Sequence, residues 1–289
     1  MAYTSLSEIL LGAMHSEKKG LTENKTSFPE GFLPKKGLID CHCHLEYMDE
    51  TVIEEATQRM QAVVTSVAHP KDAVRMLEVA KKHKGFVYLA LGLHPSEVVK
   101  FTDEQINEYC NMVRQNKSNI VAIGEVGLDR HWIKDEAEHK RSKSVFKKFI
   151  ELANEINVPL VIHTRDDKSS GISVMDETLD LLQHAKVPVM MHCFSSREHI
   201  TECEKRGYYM SMNTILYKSK SYGKIARDCP LDLIVLETDS PWMDPQSSEL
   251  TNRPWKIEQA AEKIAELKHM SKEEILRTTT ENAKKLFGI

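Results

Sequence analysis

The chain has 289 residues, 41% hydrophobic and 28% charged, the balance of an ordinary soluble globular protein with room for a large core. A formal net charge of −4 argues against a protein that coats duplex nucleic acid through an overall basic surface, so any nucleic-acid contact is expected to be local to a site. Six cysteines are too sparse for a secreted disulfide scaffold, and no apolar run reaches the length of a membrane span, so reduced thiols, a cytoplasmic location and no membrane partner are expected.

In chain order, residues 1–36 differ from the rest. "MAYTSLSEILLGAM" has a brief apolar stretch without a basic lead, which makes a poor signal peptide. It reads as a short helix over Leu6–Met14. The polar, Pro- and Gly-containing stretch after it reads as a linker, either a loose extension or a strap over the outside of the domain.

From Gly37 a rhythm begins. Eight short apolar, β-branched runs alternate with longer amphipathic segments: "GLIDCHCH", "AVVTSVAHP", "VYLALGLHP", "IVAIGEVGLD", "PLVIHTR", "PVMMHCF", "YYMSMN" and "LIVLETDSP". Helical patterns fall over Thr51–Gln61, Asp72–His83, Asp103–Gln115, Glu136–Asn157, Val174–His184, Arg197–Arg206 and Lys218–Asp228. Two more, Pro254–Lys268 and Ser271–Phe287, close the chain. "NRPW" sets Pro254 in a first helical turn, and "SKEE" has the form of a capping box. Near-continuous apolar strands alternating with helices mean a parallel sheet covered on both faces. Eight such units over the roughly 250 residues typical of the fold predict a closed (β/α)8 barrel at 37–289, with residues 1–36 as an N-terminal extension. The open doubly wound competitor lacks a glycine fingerprint after its first strand.

Six of the eight strands end in an ionisable or metal-binding residue: His42 and His44, His94, Glu125, His163, His192, and Asp239. In a barrel these ends converge on one rim, where active sites are built. Burying so many polar groups together costs several kcal/mol apiece unless something satisfies them, and a metal centre does so. In "DCHCHL" the period-two alternation predicts that His42 and His44 point together into the barrel, with Asp40 on their side. Cys41 and Cys43 are expected to point together toward the helices as small buried hydrophobes. A four-ligand zinc knuckle would need a loop and a second ligand pair, and neither is present. Four histidines and two carboxylates exceed the roughly three protein ligands of one catalytic ion. Two ions fit better: His42, His44 and Asp239 on one, His163 and His192 on the other, Glu125 bridging.

The blocks "DCHCHL", "GLHP", "AIGEVGLD", "VIHTRD", "MHCFS" and "LIVLETDSP" resemble, in order, the signatures of the TatD family of metal-dependent deoxyribonucleases, over almost all of Gly37–Ile289. The resemblance implies a TIM-barrel metallohydrolase of the amidohydrolase superfamily. By position, it implies His42, His44, Glu125, His163, His192 and Asp239 as metal ligands. It also implies His94 as a residue beside the metals that meets a substrate phosphate. Two positions depart from the family pattern. Arg130 stands where an aromatic residue often follows "GLD", and Thr251 stands where many members have arginine; both loops are expected to line the cleft.

Two divalent ions, Zn, Mn or Mg, would activate a water for in-line attack. Asp239 would be ligand and general base, while His94 and Arg165 would hold phosphate oxygens. Arg165 could equally pair with Asp129, which in turn could support a ligand or serve only in a turn. Trp132 and Trp242 could stack a base or pack in the core. The expected activity is hydrolysis of DNA phosphodiesters, trimming ends. The alternative is ester or amide hydrolysis, as by an aminoacyl-tRNA deacylase or a small-molecule amidohydrolase. A purely structural metal site would need only four ligands and leave no open position. No obligate protein partner is evident.

Overall fold

The computed structural model describes residues 37–289 apart from 168, 170, 172 and 248. The helix, linker and strap read over residues 1–36 lie outside the described residues. The eight expected strands form: β1 Ile39–Cys43, β2 Ala62–Val67, β3 Val87–Leu91, β4 Ile123–Asp129, β5 Leu160–Arg165, β6 Val189–Met191, β7 Tyr209–Met212 and β8 Ile234–Leu236. Helices follow the strands: α1 Glu50–Arg59, α2 Pro70–Lys82, α3 Asp103–Gln115, α4 Glu136–Ile156, α5 Met175–Leu182, α6 Ile200–Lys205 and α7 Lys220–Asp228. α8 Ile257–Lys268 and α9 Lys272–Phe287 complete the chain.

Local chemistry explains several boundaries. Thr102 and Gln105 form a full capping box at α3. Ser271 caps α9 by accepting from the Glu274 N–H. Pro254 opens a 3-10 turn that runs into α8, a position where a missing N–H costs nothing.

All strand pairs are parallel, in the orders β1-β2-β3 and β4-β5-β6-β7-β8. Two seams close the ring. At one, Ala90 bridges Ala122 and the Leu91 N–H donates to the Ala122 carbonyl at 3.2 Å. At the other, the Asp239 N–H donates to the His42 carbonyl at 3.0 Å and the His44 N–H to the Ser240 carbonyl at 2.8 Å. The core then divides in two. A small inner cluster (Ile39, Cys41, Val64, Ala90, Val161, Met190 and Val235 among its members) fills the barrel, and Leu286 and Phe287 of α9 join it. A larger cluster packs the outer strand faces against the helices. No helix among the described residues is long and apolar enough to cross a membrane.

Two strands slip register on their way to the rim. In β1, Asp40 pairs with Val63 but Cys43 with Thr65, so Cys41 and His42 together oppose Val64. This bulge corrects the simple alternation expected for "DCHCHL". Cys41 belongs to the inner cluster and Cys43 to the outer one, so the two thiols do not share a side. In β4, Ile123 pairs with Leu160 and Val126 with Ile162, so Gly124 and Glu125 oppose Val161. The glycines of "IGEVGLD" permit the close approach. A Cβ at Gly124 would lie 2.5 Å from the Val161 Cβ, and one at Gly127 (φ 150°) would lie 1.9 Å from the His163 carbonyl oxygen.

Candidate active site

The six candidate ligands meet at one rim. His42 and His44 present their Nε2 atoms to each other at 3.1 Å. Glu125 lies within reach of four imidazoles: 3.7 Å from His42 Nε2, 3.8 Å from His44 Nε2, 3.6 Å from His163 Nδ1 and 3.8 Å from His192 Nε2. Asp239 Oδ1 stands 3.5 Å from His42 Nε2, 3.3 Å from His44 Nε2 and 4.0 Å from His192 Nε2. The His192 ring stacks on that of His42 at 3.7 Å between centroids. Within the cluster the atoms fall into overlapping groups: His42, His192 and Asp239; His42, His44 and Glu125; His94, Glu125 and His163. His192 thus lies nearer to His42 and Asp239 than the expected division of ligands between two ions supposes.

Each imidazole is held from its far side. The His44 Nδ1 meets Glu46 Oε1 at 3.1 Å, the His163 Nε2 meets Asp129 Oδ2 at 2.9 Å, and the His192 Nδ1 meets Glu237 Oε2 at 2.8 Å. Ionised carboxylates only accept, so each of these nitrogens carries the proton and the opposite nitrogen turns a lone pair toward the cluster. Ser66 Oγ holds His42 Nδ1 at 3.1 Å. Lone pairs converging on two buried carboxylates are the donor chemistry of a divalent-cation site, and two such ions fit the overlapping groups.

The carboxylates also draw protons onto the imidazoles they meet, protons that a bound cation would displace. Burial works against ionised Glu125, but His94, His163, His42 and His44 outweigh it and hold its carboxyl well below the usual range. Burial opposes ionised Asp239 too, and hydrogen bonds from His42 and His44 win, so it stays charged. His163, despite burial, is raised to about 9 by Asp129 and Glu125. His94 goes the other way: burial, then the neighbouring His163, bring it down to about 4. The Ser96 N–H donates to His94 Nδ1 at 3.2 Å. Neutral His94 therefore carries its proton on Nε2, which suits a hydrogen-bond donor better than a metal ligand.

Other residues fall where sequence reasoning did not put them. Asp40 binds the backbone N–H of His42 rather than an imidazole, and it pins Thr238 just beyond β8. Asp129 is no mere turn residue, since it orients His163, and its second oxygen accepts the Trp132 N–H at 3.0 Å. Arg165 does not pair with Asp129; it is exposed and lines the cleft. Arg130 and Thr251 do not line the cleft. Arg130 is buried and paired with Glu136, and Thr251 binds Asp244. Glu46, Ser66 and Glu237 were not singled out from sequence. The signal for the two glutamates was their spacing, two residues from His44 and from Asp239, inside strand-terminal blocks.

Above the cluster opens a cleft of about 1250 Å³, lined by His44, His94, Glu125, His163, His192 and Asp239 together with Lys71, Arg165 and the aromatics Tyr47, Trp132 and Trp242. A parallel barrel with a multi-histidine, two-carboxylate cluster at the strand ends defines a metal-dependent hydrolase. More narrowly, the chain belongs to the family described as TatD related DNase, whose profile matches residues 39–288. It is 36% identical to an uncharacterized metal-dependent hydrolase of Methanocaldococcus jannaschii, over 86% of this chain and 96% of that protein. It is 32% identical to a deoxyribonuclease of Homo sapiens, TATDN3, over 87% of this chain and 94% of the relative. Among solved structures, a TatD homolog of Escherichia coli superimposes with a TM-score of 0.75 at 23% identity, covering 87% of this chain and 98% of the other. A TatD-family hydrolase of Entamoeba histolytica gives 0.74 at 16% identity, over 88% and 99%.

Proposed function

We propose that this hydrolase cleaves DNA phosphodiesters, working from chain ends. The observation that carries the reading is the set of imidazoles gathered on Glu125 and Asp239 at the floor of a cleft that also presents Arg165 and Lys71. Neither cation has an ion-pair partner among the described residues. The name of the human relative, a deoxyribonuclease, points to the same substrate. In this reading His42, His44 and Asp239 would hold one ion and Glu125 would serve both, with His163 and His192 completing the second set, although His192 also lies beside His42 and Asp239. Zn, Mn or Mg held there would supply a Lewis acid for a phosphoryl oxygen and make water acidic enough to act near neutral pH.

The chain's own groups do the rest. Asp239 stays ionised and can accept the proton of the attacking water. Glu46, Asp129 and Glu237 keep three imidazoles in the orientation and tautomer the site needs. Neutral His94 offers an Nε2 proton, and Arg165 a planar cation, to the non-bridging oxygens. Divalent ions held beside Arg165 and Lys71 would reconcile phosphate binding with a net charge of −4, since the cleft's own cations face at least as many carboxylates, Glu97, Asp166 and Asp167 among them. The cytoplasm is the compartment we propose, since the cysteines are sparse and none is placed to pair with another.

The test is metal-stripped protein reloaded with Zn, Mn or Mg and offered linear and circular single-stranded DNA, duplex DNA, RNA, aminoacyl-tRNA and simple esters. Metal-restored degradation of linear DNA, with the circle spared, is expected. Turnover confined to aminoacyl-tRNA or simple esters would overturn the reading in favour of an ester hydrolase.

A further inference from the structure

We propose that Trp132 and Arg165 form a nucleotide platform on the cleft wall. The indole face would stack an unpaired nucleobase while the guanidinium takes the adjoining phosphate. This deepens the phosphodiesterase reading above and rests on it.

Trp132 follows β4 and is 61% exposed, although it lines the cleft. A large aromatic ring left this open on a cleft wall offers apolar area that a ligand can cover. Arg165, at the end of the neighbouring β5, sets its guanidinium carbon 5.9 Å from the ring centroid, the outer reach of a cation–π contact. The pair therefore displays a cation beside a π face. A nucleotide carries the matching combination, an anion and an aromatic plane on one unit, which a simple ester or a sugar phosphate does not.

The placement of the platform is fixed relative to the cluster. The Arg130 N–H donates to the Arg165 carbonyl at 2.8 Å, joining the two segments. Asp129 accepts the Trp132 N–H on one oxygen and holds His163 with the other. One carboxylate thus positions both the platform and an imidazole of the cluster. The other cleft aromatics are already engaged: Trp242 meets Tyr47 edge-on at 5.0 Å and His44 at 5.1 Å. Among the described residues, Trp132 meets the His131 ring at 4.8 Å, near perpendicular, besides Arg165.

The experiment compares wild type, Trp132→Ala and Trp132→Phe on single-stranded oligonucleotides whose terminal nucleotides either bear bases or are abasic, with bound metal measured in each protein. Wild type should prefer the base-bearing strand. Trp132→Ala should raise KM for it by roughly fivefold to a hundredfold, the range that loss of one base–aromatic stack produces, with metal content unchanged. It should no longer distinguish the two strands, and Trp132→Phe should recover most of the preference. An unchanged KM and an unchanged preference in Trp132→Ala, with wild type active on DNA, would overturn the platform alone. A wild type that degrades no oligonucleotide, yet hydrolyses bis(p-nitrophenyl) phosphate, would overturn the DNA reading and the platform with it.

Discussion

Glu125 is the carboxylate that reaches four imidazoles: its two oxygens lie within 4 Å of His42, His44, His163 and His192. Glu125→Gln keeps the shape and removes the charge that offsets repulsion between two close dications. Metal content should fall below two ions per chain, with activity nearly abolished. Asp239 contacts three imidazoles and none of the far-side supports. Asp239→Asn should retain part of its metal and lose on the order of 10²–10⁴ in rate, as expected for a missing general base. Metal analysis beside a DNA-degradation assay on both variants checks the pair. Full occupancy and full turnover in Glu125→Gln would remove its role between the ions. Both variants should stay folded, because the core is built of apolar residues below the rim. At this scale the histidines were legible from sequence because they interrupt apolar runs, whereas Glu46 and Glu237 were not. A glutamate near a strand end looks the same whether it faces solvent or an imidazole.

The β1 bulge decides what the two cysteines of "DCHCHL" meet. Cys43 Sγ lies 3.7 Å from the Val64 carbonyl, a partner that a serine hydroxyl can keep. Cys41 sits among the apolar side chains of the inner cluster, with the Leu236 backbone as a polar neighbour. Cys41→Ser and Cys43→Ser should each destabilise by no more than about 1–3 kcal/mol, with metal content unchanged in both. Denaturant unfolding beside metal analysis checks this, and loss of metal from either variant would revive a role for the thiols as ligands.

A second element, the loop after β8, carries Trp242 against His44. It is tied down by Asp244, which binds Lys256 Nζ at 2.7 Å, the Thr251 hydroxyl at 2.6 Å and the Gln246 N–H at 2.9 Å. Burial works against ionised Asp244, but these partners bring it down to about 2. Because the folded carboxyl is more acidic than the unfolded one, near 3.9, its contribution is present above pH 4. It is lost as pH falls toward 2. Asp244→Asn should lower stability at pH 7 by on the order of 2 kcal/mol. Thermal unfolding of both proteins from pH 7 to pH 2 should show that difference shrinking at the acid end. A difference that is constant with pH would mean the charge of Asp244 contributes nothing.

For the whole molecule, the eight strands and both seams of the barrel are made by residues after Gly37. The first strand begins at Ile39, where the family match also starts. A chain beginning at Gly37 should fold, bind metal and keep its activity, as judged by its melting temperature and turnover beside the full chain. Insolubility of the shortened chain would show instead that Leu6, Ile9 and Leu10 cover an apolar patch on the barrel, the strap reading of the extension.

The sequence by itself determined the number and order of the strands, the parallel sheet and the residues that could bind metal. Those depend on local pattern: apolar β-branched runs, helical periodicity, and polar side chains set where burial would be costly. Tertiary structure alone decided which side of β1 each cysteine takes, because a bulge is a matter of pairing between strands and leaves little trace in one strand's alternation. It decided as well that His192 stacks on His42, that Asp129 serves His163 and that Arg130 turns inward to Glu136. The first two join residues on or just past different strands, and their geometry exists only once those strands are assembled; the third depends on how the loop after β4 packs.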